Sequence, residues 1–409
     1  MTDLARSIAG DSPLKIFVSA GEPSGDRQAA YLLDILRQLR PEIEICGIGS
    51  TNLAAIGADL WMDSRKGAVI GLAAALLSAP VVVPQVLRVM KRLEKEKPDV
   101  AVLVDWGGVN VRLARLLRRL RVPTLYYFPP RSWDRRAHRD IAFICDAIAT
   151  PFPWSKHILS GETARVEWVG HPLVDQVQPK ISKTQAASEL GLDLSRPIVA
   201  LLPGSRKAEI RHSFPVLVAS AVNINRQIPG TQFLITASEE ALRIKGKLSA
   251  LLQRYSLEAR LLQGMDYDAL QCADAAAAVS GTVTLELALL GIPMVVIYRG
   301  SLAVWLQYQI ARRTTAVTRF IAMPNLIADR QIVPECLQWQ ANPGRIATEI
   351  ISLLTDRARR EKMLDDLASA SRQLGPPGAA HRTAEMVLDL VAYGSHQQLL
   401  QPMGAEAEG

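Results

Sequence analysis

The chain has 409 residues, of which 49% are apolar, 21% charged and 5% aromatic, more than one hydrophobic core usually organises, so two domains are expected. Its 24 Pro and 26 Gly follow no period, which excludes collagen-like and low-complexity architectures, and the apolar share excludes wholesale disorder. A net charge of +7 favours an anionic partner without naming it.

Along the first half, Lys15 to Ala20 is an apolar run closed by Gly21, and Ser24 to Leu39 shows helical spacing, which predicts strand, loop, helix. The first ten residues, with Asp3 and Arg6, hold no apolar core of a signal peptide. A strand follows at 43–48, then helices at 50–57 and 85–96, a strand at 99–105, a helix at 109–120, and strands at 123–128, 145–149 and 165–169. Gly67 to Leu87 is uncharged and long enough to span a bilayer, but Pro80, Pro84 and the small residues Ala73 to Ala75 argue for a buried helix pair, or a helix dipping into the interface. Arg112, Arg115, Arg118, Arg119 and Arg121 interleave with Leu113, Leu116, Leu117 and Leu120, an amphipathic basic pattern that suits either a solvated helix face or an anionic bilayer; Arg131, Arg135, Arg136 and Arg139 follow.

Between about 172 and 195 the alternation loosens, and it then restarts: strand 197–202, helix 207–227, strand 231–236, helix 239–253, strand 258–263, short helix 266–271, strand 274–279, helix 283–290 and strand 293–298. Helices follow at 343–355, 358–373 and 380–393. Strands alternating with helices predict parallel, doubly wound sheets. The expected division is a first Rossmann-like domain over 1–175, a linker at 176–195, a second such domain over 196–374, a helix at 375–395 returning to the first domain, and a flexible tail at 396–409.

In such sheets ligands bind beyond the carboxyl ends of the strands, which directs attention to five loops. Gly21-Glu22-Pro23-Ser24-Gly25-Asp26 offers backbone N–H groups to an anion or a sugar hydroxyl. Asp105, at the end of an apolar strand, suits a general base on a hydroxyl or a cap of the next helix, and the residues alone leave both readings open. In Pro203-Gly204-Ser205-Arg206-Lys207, Arg206 would meet a leaving diphosphate, or else be a surface cation. In Ser280-Gly281-Thr282-Val283-Thr284-Leu285-Glu286, Gly281 lets a phosphate approach the backbone and Glu286 could accept from ribose hydroxyls, unless it is simply solvated. Asn325, in the apolar stretch Met323 to Leu326, reads as a polar contact or a turn residue. His171 lies at the domain junction, and the six histidines show no ligand spacing. Cys46, Cys145, Cys272 and Cys336 form no CxxC pair, so neither a metal site nor a disulfide framework is indicated. No GxGxxG dinucleotide fingerprint is present, and aromatics do not interleave with the basic runs, which speaks against a nucleic-acid partner.

Taken together and in order, Ala20 to Asp26 (AGEPSGD), Lys97 to Val100 with Asp105, Gly170-His171-Pro172, Leu201 to Ile210 (LLPGSRKAEI), Ser280 to Glu286 (SGTVTLE), Pro293 to Arg299 (PMVVIYR) and Met323 to Ala328 (MPNLIA) resemble the lipid-A-disaccharide synthases. The resemblance runs from about Lys15 to Val391 and implies the GT-B fold, two Rossmann-like doubly wound parallel-sheet domains facing a cleft. It further implies transfer of a diacylglucosamine from UDP to the 6-hydroxyl of a diacylglucosamine 1-phosphate, with no cofactor and no metal. By the same analogy Asp105 is the base of an inverting displacement, Glu22, Ser24, Gly25 and Asn325 are substrate-site residues, and Ser205, Arg206, Ser280, Gly281, Thr282 and Glu286 form the UDP site. The implied location is the cytoplasmic face of the bacterial inner membrane, held peripherally on its anionic surface; the oligomeric state is left open. Three positions depart from the family's usual pattern: Gly108 stands where a second acid is usual, the segment Pro129 to Arg136 is altered, and an Ala near Ala74 replaces an expected Glu. The competing readings are a GT-B UDP-sugar transferase with a different acceptor and a non-catalytic, membrane-associated UDP-sugar-binding homologue.

Overall fold

The structure, a computed structural model, describes residues 13–66, 72–129, 141–159, 164–237, 252–300, 305 and 320–399. The segment Arg131 to Arg139, the greater part of the altered stretch Pro129 to Arg136, most of the expected helix 239–253 and the tail beyond 399 lie outside the described residues. The chain divides into two compact units, Met1–Pro172 with Gly375–Gly409, and Leu173–Leu374.

In the first unit, β1 (Leu14–Ala20), β2 (Ile43–Gly49), β3 (Asp59–Asp63), β4 (Val100–Val104), β5 (Thr124–Tyr127), β6 (Ala147–Thr150) and β7 (Arg165–Trp168) form a sheet in the order β3-β2-β1-β4-β5-β6-β7. All its pairings are parallel. Successive side chains of a strand point to opposite faces, and helices cover both. Ile16, Val18, Val102, Val104 and Leu125 pack with Leu32, Leu33 and Leu36 of the helix Pro23–Leu39 and with Met386 and Val387 of the last helix, Ala379–Leu399. Phe17, Ala101, Leu103, Tyr126 and Ile148 pack on the other face with Val86, Val89 and Leu93 of the helix Leu72–Lys95 and with Leu113, Leu116 and Leu117 of the helix Gly107–Arg119. Double coverage explains why these strands read as unbroken apolar runs.

Two sequence expectations change here. The helix expected to begin at 85 begins at Leu72 and runs through Pro80 and Pro84. Each proline removes one N–H donor, but Val82, Val86, Val89, Met90 and Leu93 recur at helical spacing and anchor the helix to the sheet. The leucines of the basic helix are not available to a bilayer: Leu113, Leu116 and Leu117 are buried against the sheet while Arg112, Arg115, Arg118 and Arg119 are exposed. The outward apolar side chains are instead Val81, Val83 and Leu87 of the helix Leu72–Lys95. Among the described residues no helix is long and apolar enough to cross a membrane.

In the second unit β8 (Ile198–Leu202), β9 (Gln232–Ala237), β10 (Ala259–Gln263), β11 (Ala275–Val279), β12 (Met294–Tyr298) and β13 (Glu335–Leu337) form a second parallel sheet, ordered β10-β9-β8-β11-β12-β13. The stretch expected as a linker at 176–195 is folded onto this unit. It carries the helix Lys183–Leu190, whose Ser182 cap accepts from the N–H of Gln185, and Asp268 accepts from the N–H groups of Lys180 and Ile181.

Candidate functional site

Each sheet has one place where strand order reverses direction, between β1 and β4 in the first unit and between β8 and β11 in the second. Loops leaving the carboxyl ends of such strands diverge and leave a crevice. Four of the five loops singled out in the sequence leave these four strands.

In the first unit Ala20 pairs with Val104, so the loop starting at Gly21 and the turn Asp105-Trp106 emerge side by side. Gly21 lies against the indole of Trp106: a Cβ built on it would stand 1.9 Å from Trp106 Cδ2. Gly25 is buried beside Val104, with space for ordinary contact at 3.6 Å from its Cγ1. Glu22 caps the helix Pro23–Leu39 through its backbone carbonyl, which accepts from the N–H of Asp26 at 2.8 Å, and Ser24 is half-buried in the first turn. Asp105 and Trp106 both adopt left-handed backbone, with φ of 48° and 46°. For a residue with a Cβ this conformation costs about 1–2 kcal/mol, so the turn is held by its surroundings. Asp105 N–H donates to the Tyr127 carbonyl at 3.1 Å, and its own carbonyl accepts from Asn110 Nδ2 at 2.9 Å and from the Tyr126 hydroxyl at 2.7 Å. Trp106 takes the N-cap position of the helix Gly107–Arg119, so Asp105 stands one residue before the cap rather than serving as it. Asp26 is fully buried and turned away from this turn. Its carboxylate accepts from the N–H groups of Ser50 and Asn52 and from Asn52 Nδ2, fastening the loop after β2.

In the second unit Leu202 pairs with Ala278, and the loops after β8 and β11 are again neighbours. Gly204 has φ of +99° and Glu209 folds beneath it. The Glu209 carboxylate accepts from Ser205 N–H, Arg206 N–H and Arg206 Nη1, a capping box that opens the helix Lys207–Gln227. Both charges affect Tyr298 at the end of β12, whose phenol is raised mainly by burial, then raised further by Glu209 and lowered by Arg206. Beyond β11, Ser280 Oγ donates to the Ile321 carbonyl, Gly281 is exposed with φ of +154° and open space where a Cβ would stand, and Thr282 begins the helix Val283–Leu289. Glu286 is 2% exposed, which removes the reading of a solvated side chain.

Asn325 does not sit in a loop: Met323–Ala328 is a helix with Pro324 in its first turn. The side chain is fully buried, donates to the Val333 carbonyl and to Glu335 Oε1, and accepts from the N–H groups of Ile332 and Val333. Both of its donors and both acceptor lone pairs are thus taken by protein, and its role in this arrangement is internal. Glu335 also accepts from the N–H groups of Ile321 and Ala322, so Asn325, Glu335 and Ile321 form one network ending on Ser280.

Sequence reasoning brought Asp105, Glu22, Ser24 and Gly25 to one end of the first sheet, and Ser205, Arg206, Ser280, Gly281, Thr282 and Glu286 to the corresponding end of the second. It assigned no part to Asn110, Tyr126, Asp26, Glu209 or Glu335. Of these only Glu209 carried a local signal, an acid three residues after the cap position. His171 is buried against Phe128, which has φ of 53°, and Phe152; burial first, and the charge of Arg27 second, lower it to about 3, so it is neutral. All four cysteines are buried thiols. Among the described residues no three His, Cys, Asp or Glu side chains gather as a metal-binding group.

Comparison with known proteins agrees with this fold. Among solved structures the chain is similar to the UDP-GlcNAc 2-epimerase from Neisseria meningitidis bound to UDP-GlcNAc, with a TM-score of 0.60 at 14% identity, covering 92% of this chain and 100% of that one. It is similar also to S. aureus MnaA in a co-structure with UDP, with a TM-score of 0.60 at 11% identity, covering 97% and 100%. At such identities the likeness shows the fold alone, the two-domain parallel-sheet GT-B type. Sequence relatives are closer: a lipid-A-disaccharide synthase of Geobacter sulfurreducens is 35% identical over 92% of this chain and 97% of its own. Those of Syntrophus aciditrophicus and Myxococcus xanthus are each 36% identical, over 92% and 94% of this chain and 97% and 99% of their own. The family model of lipid-A-disaccharide synthetase matches residues 16–387, from β1 to the last helix and through every loop described above, and the chain belongs to that family.

Proposed function

We propose that the protein transfers 2,3-diacylglucosamine from UDP to the 6-hydroxyl of 2,3-diacylglucosamine 1-phosphate, with inversion, forming the β-1,6-linked disaccharide precursor of lipid A. The observation that best supports this reading, within this family, is Asp105 at the reversal point of the first sheet, in a left-handed turn beside the Gly21 to Asp26 loop.

In the reaction Asp105 accepts the proton of the acceptor's 6-hydroxyl as that oxygen attacks the anomeric carbon of the donor. The bond from that carbon to the diphosphate oxygen breaks, UDP leaves with the electron pair, and Asp105 later passes its proton to solvent. Negative charge grows on the departing diphosphate, and the Arg206 guanidinium with the amide-bearing start of the helix Lys207–Gln227 stabilises it. The exposed Gly281 lets the nucleotide approach the backbone, Ser280 and Thr282 flank it, and the buried Glu286 accepts from ribose hydroxyls. Glu22, Ser24 and Gly25 face the sugars beside Asp105, and Asn325 acts through Glu335 on the Ser280 turn.

Acylated substrates require an apolar surface at the edge of a bilayer. Val81, Val83 and Leu87, exposed on the helix Leu72–Lys95, with Arg88 and Lys91 on that helix and the arginines of the neighbouring helix Gly107–Arg119, provide an apolar and basic face for anionic lipid. Peripheral attachment to the cytoplasmic face of the inner membrane follows from this reading.

The test is UDP release from UDP-2,3-diacylglucosamine in detergent, with and without 2,3-diacylglucosamine 1-phosphate, for the wild type and Asp105→Ala. Acceptor-dependent release that is lost in the variant is the expected result. A folded protein that binds UDP but releases none with this acceptor overturns the reading.

A further inference from the structure

We infer that Asn110, assisted by Tyr126, is a positioning residue that fixes the direction of the Asp105 carboxylate. The inference rests on the reading of Asp105 as the base. The direction of a side chain is set by the two peptide groups flanking its Cα, and both groups around Asp105 are hydrogen-bonded. On the amino side the N–H of Asp105 donates to Tyr127. On the carboxyl side the Asp105 carbonyl receives two donors, the Asn110 carboxamide and the Tyr126 phenol. Released from these two donors, the peptide after Asp105 would be free to leave the left-handed region, and the carboxylate would swing with it.

Asn110 is built for this task. It is fully buried, and its two amide hydrogens are shared among the carbonyls of Ser19, Val104 and Asp105. Its oxygen accepts from Ser19 Oγ at 2.6 Å. One side chain therefore ties together the ends of β1 and β4, the two strands that flank the reversal point, and the turn carrying Asp105. Tyr126 is fully buried too. Burial and the nearby Asp105 charge raise its phenol, which stays protonated and able to donate.

The test is a double-mutant cycle, read by single-turnover kinetics with enzyme in excess so that slow residual rates are measurable. The variants are Asn110→Ala, Tyr126→Phe, Asp105→Asn and the two double combinations. A displaced base costs rate rather than binding: Asn110→Ala is expected to lower the rate constant about 10- to 100-fold, with half-saturation for the donor within about twofold of wild type. Tyr126→Phe, which keeps the ring and the packing, is expected to lower it about 3- to 10-fold. In the Asp105→Asn background neither change should lower the rate further, because the group they aim is gone. Equal fractional losses in both backgrounds, or unaltered rates in the single variants, overturn the inference while leaving Asp105 as base. Near wild-type turnover of Asp105→Asn alone overturns the base assignment itself. Should Asn110→Ala fail to fold, the Tyr126→Phe arm decides the matter alone.

Discussion

Glu209 and Arg206 form a closed pair at the start of the helix Lys207–Gln227: one carboxylate oxygen accepts from Arg206 Nη1 at 2.8 Å and the other from the N–H groups of Ser205 at 3.1 Å and Arg206 at 3.3 Å. The side chain of the helix's own third residue thus occupies the positive end that a diphosphate would seek. An arriving anion must displace that carboxylate or share the guanidinium with it. Glu209→Gln keeps the length and removes the charge, so UDP is expected to bind about 3- to 10-fold more tightly, as one repulsive contact disappears. Arg206→Ala removes a charge-assisted hydrogen bond of about 1.5–3 kcal/mol and should weaken UDP about 10- to 100-fold. Calorimetric titration with UDP checks both. Weaker binding by Glu209→Gln would show instead that Glu209 holds Arg206 in its binding pose.

Gly21 and Gly25 belong to one short motif but respond differently to a methyl group. At Gly21 a Cβ would stand 1.9 Å from the Trp106 ring, so either the loop or the indole must move. Because Trp106 follows Asp105, Gly21→Ala is expected to lower turnover about 100-fold, the scale of a 1 Å misplacement near the chemistry. At Gly25 a Cβ would meet Val104 Cγ1 at 3.6 Å, and the site is helical, so Gly25→Ala should raise stability by about 0.5–1 kcal/mol. Thermal melting and UDP release measured on both variants test the contrast. A stable Gly25→Ala variant with full turnover would remove Gly25 from the groups proposed to face the sugars.

The strands that carry the site were legible because both of their faces are covered. The runs 15–20, 99–105, 197–202 and 274–279 agree within one residue with β1, β4, β8 and β11. The edge strands β3 and β13 were not legible: β3 is bounded by Asp59 and Asp63, β13 has three residues, and neither is an apolar run. Local glycine and charge patterns revealed the loops, but not what holds them. Asn110 and Ser19 are 91 positions apart, and Glu335, the partner of Asn325, lies in the short strand β13 that forms no apolar run. A clamp made by tertiary neighbours leaves no periodic trace in the chain. Buried polar residues therefore escape the sequence or mislead in it: Asn110 drew no expectation at all, and Asn325 read as a turn or substrate group.

Gly108 is the departure from the family pattern that can be reversed most simply. It is exposed in the first turn of the helix Gly107–Arg119, and a Cβ there would meet nothing within 4 Å. Gly108→Asp removes a poor helix former and places a negative charge near the positive helix end, together about 0.5–1 kcal/mol of stabilisation. The melting temperature should rise by about 1–4 °C, with turnover within about twofold of wild type, since neither hydrogen bond to the Asp105 carbonyl, from Asn110 or from Tyr126, involves Gly108. Calorimetry and the UDP-release assay read the two quantities. A tenfold loss of turnover without loss of stability would show that the acceptor lies against Gly108.

His171 makes stability depend on pH in a direction that can be derived. Burial and the Arg27 charge hold the folded imidazole at about 3, whereas in the unfolded chain it titrates near the ordinary value of about 6.5. Below about 6.5 the unfolded state therefore binds a proton that the folded state refuses, so acid favours unfolding. The contribution of neutral His171 is fully present above that value and is lost as pH falls toward 3, with a slope approaching about 1.4 kcal/mol per pH unit. Between pH 7.5 and 5.0 the wild type should lose about 2 kcal/mol more than His171→Gln, whose amide does not titrate. Carboxylates elsewhere titrate equally in both proteins and cancel in the difference. Urea unfolding at the two pH values measures it, and equal losses in the two proteins would mean that His171 takes up its proton without leaving the Phe128 and Phe152 pocket.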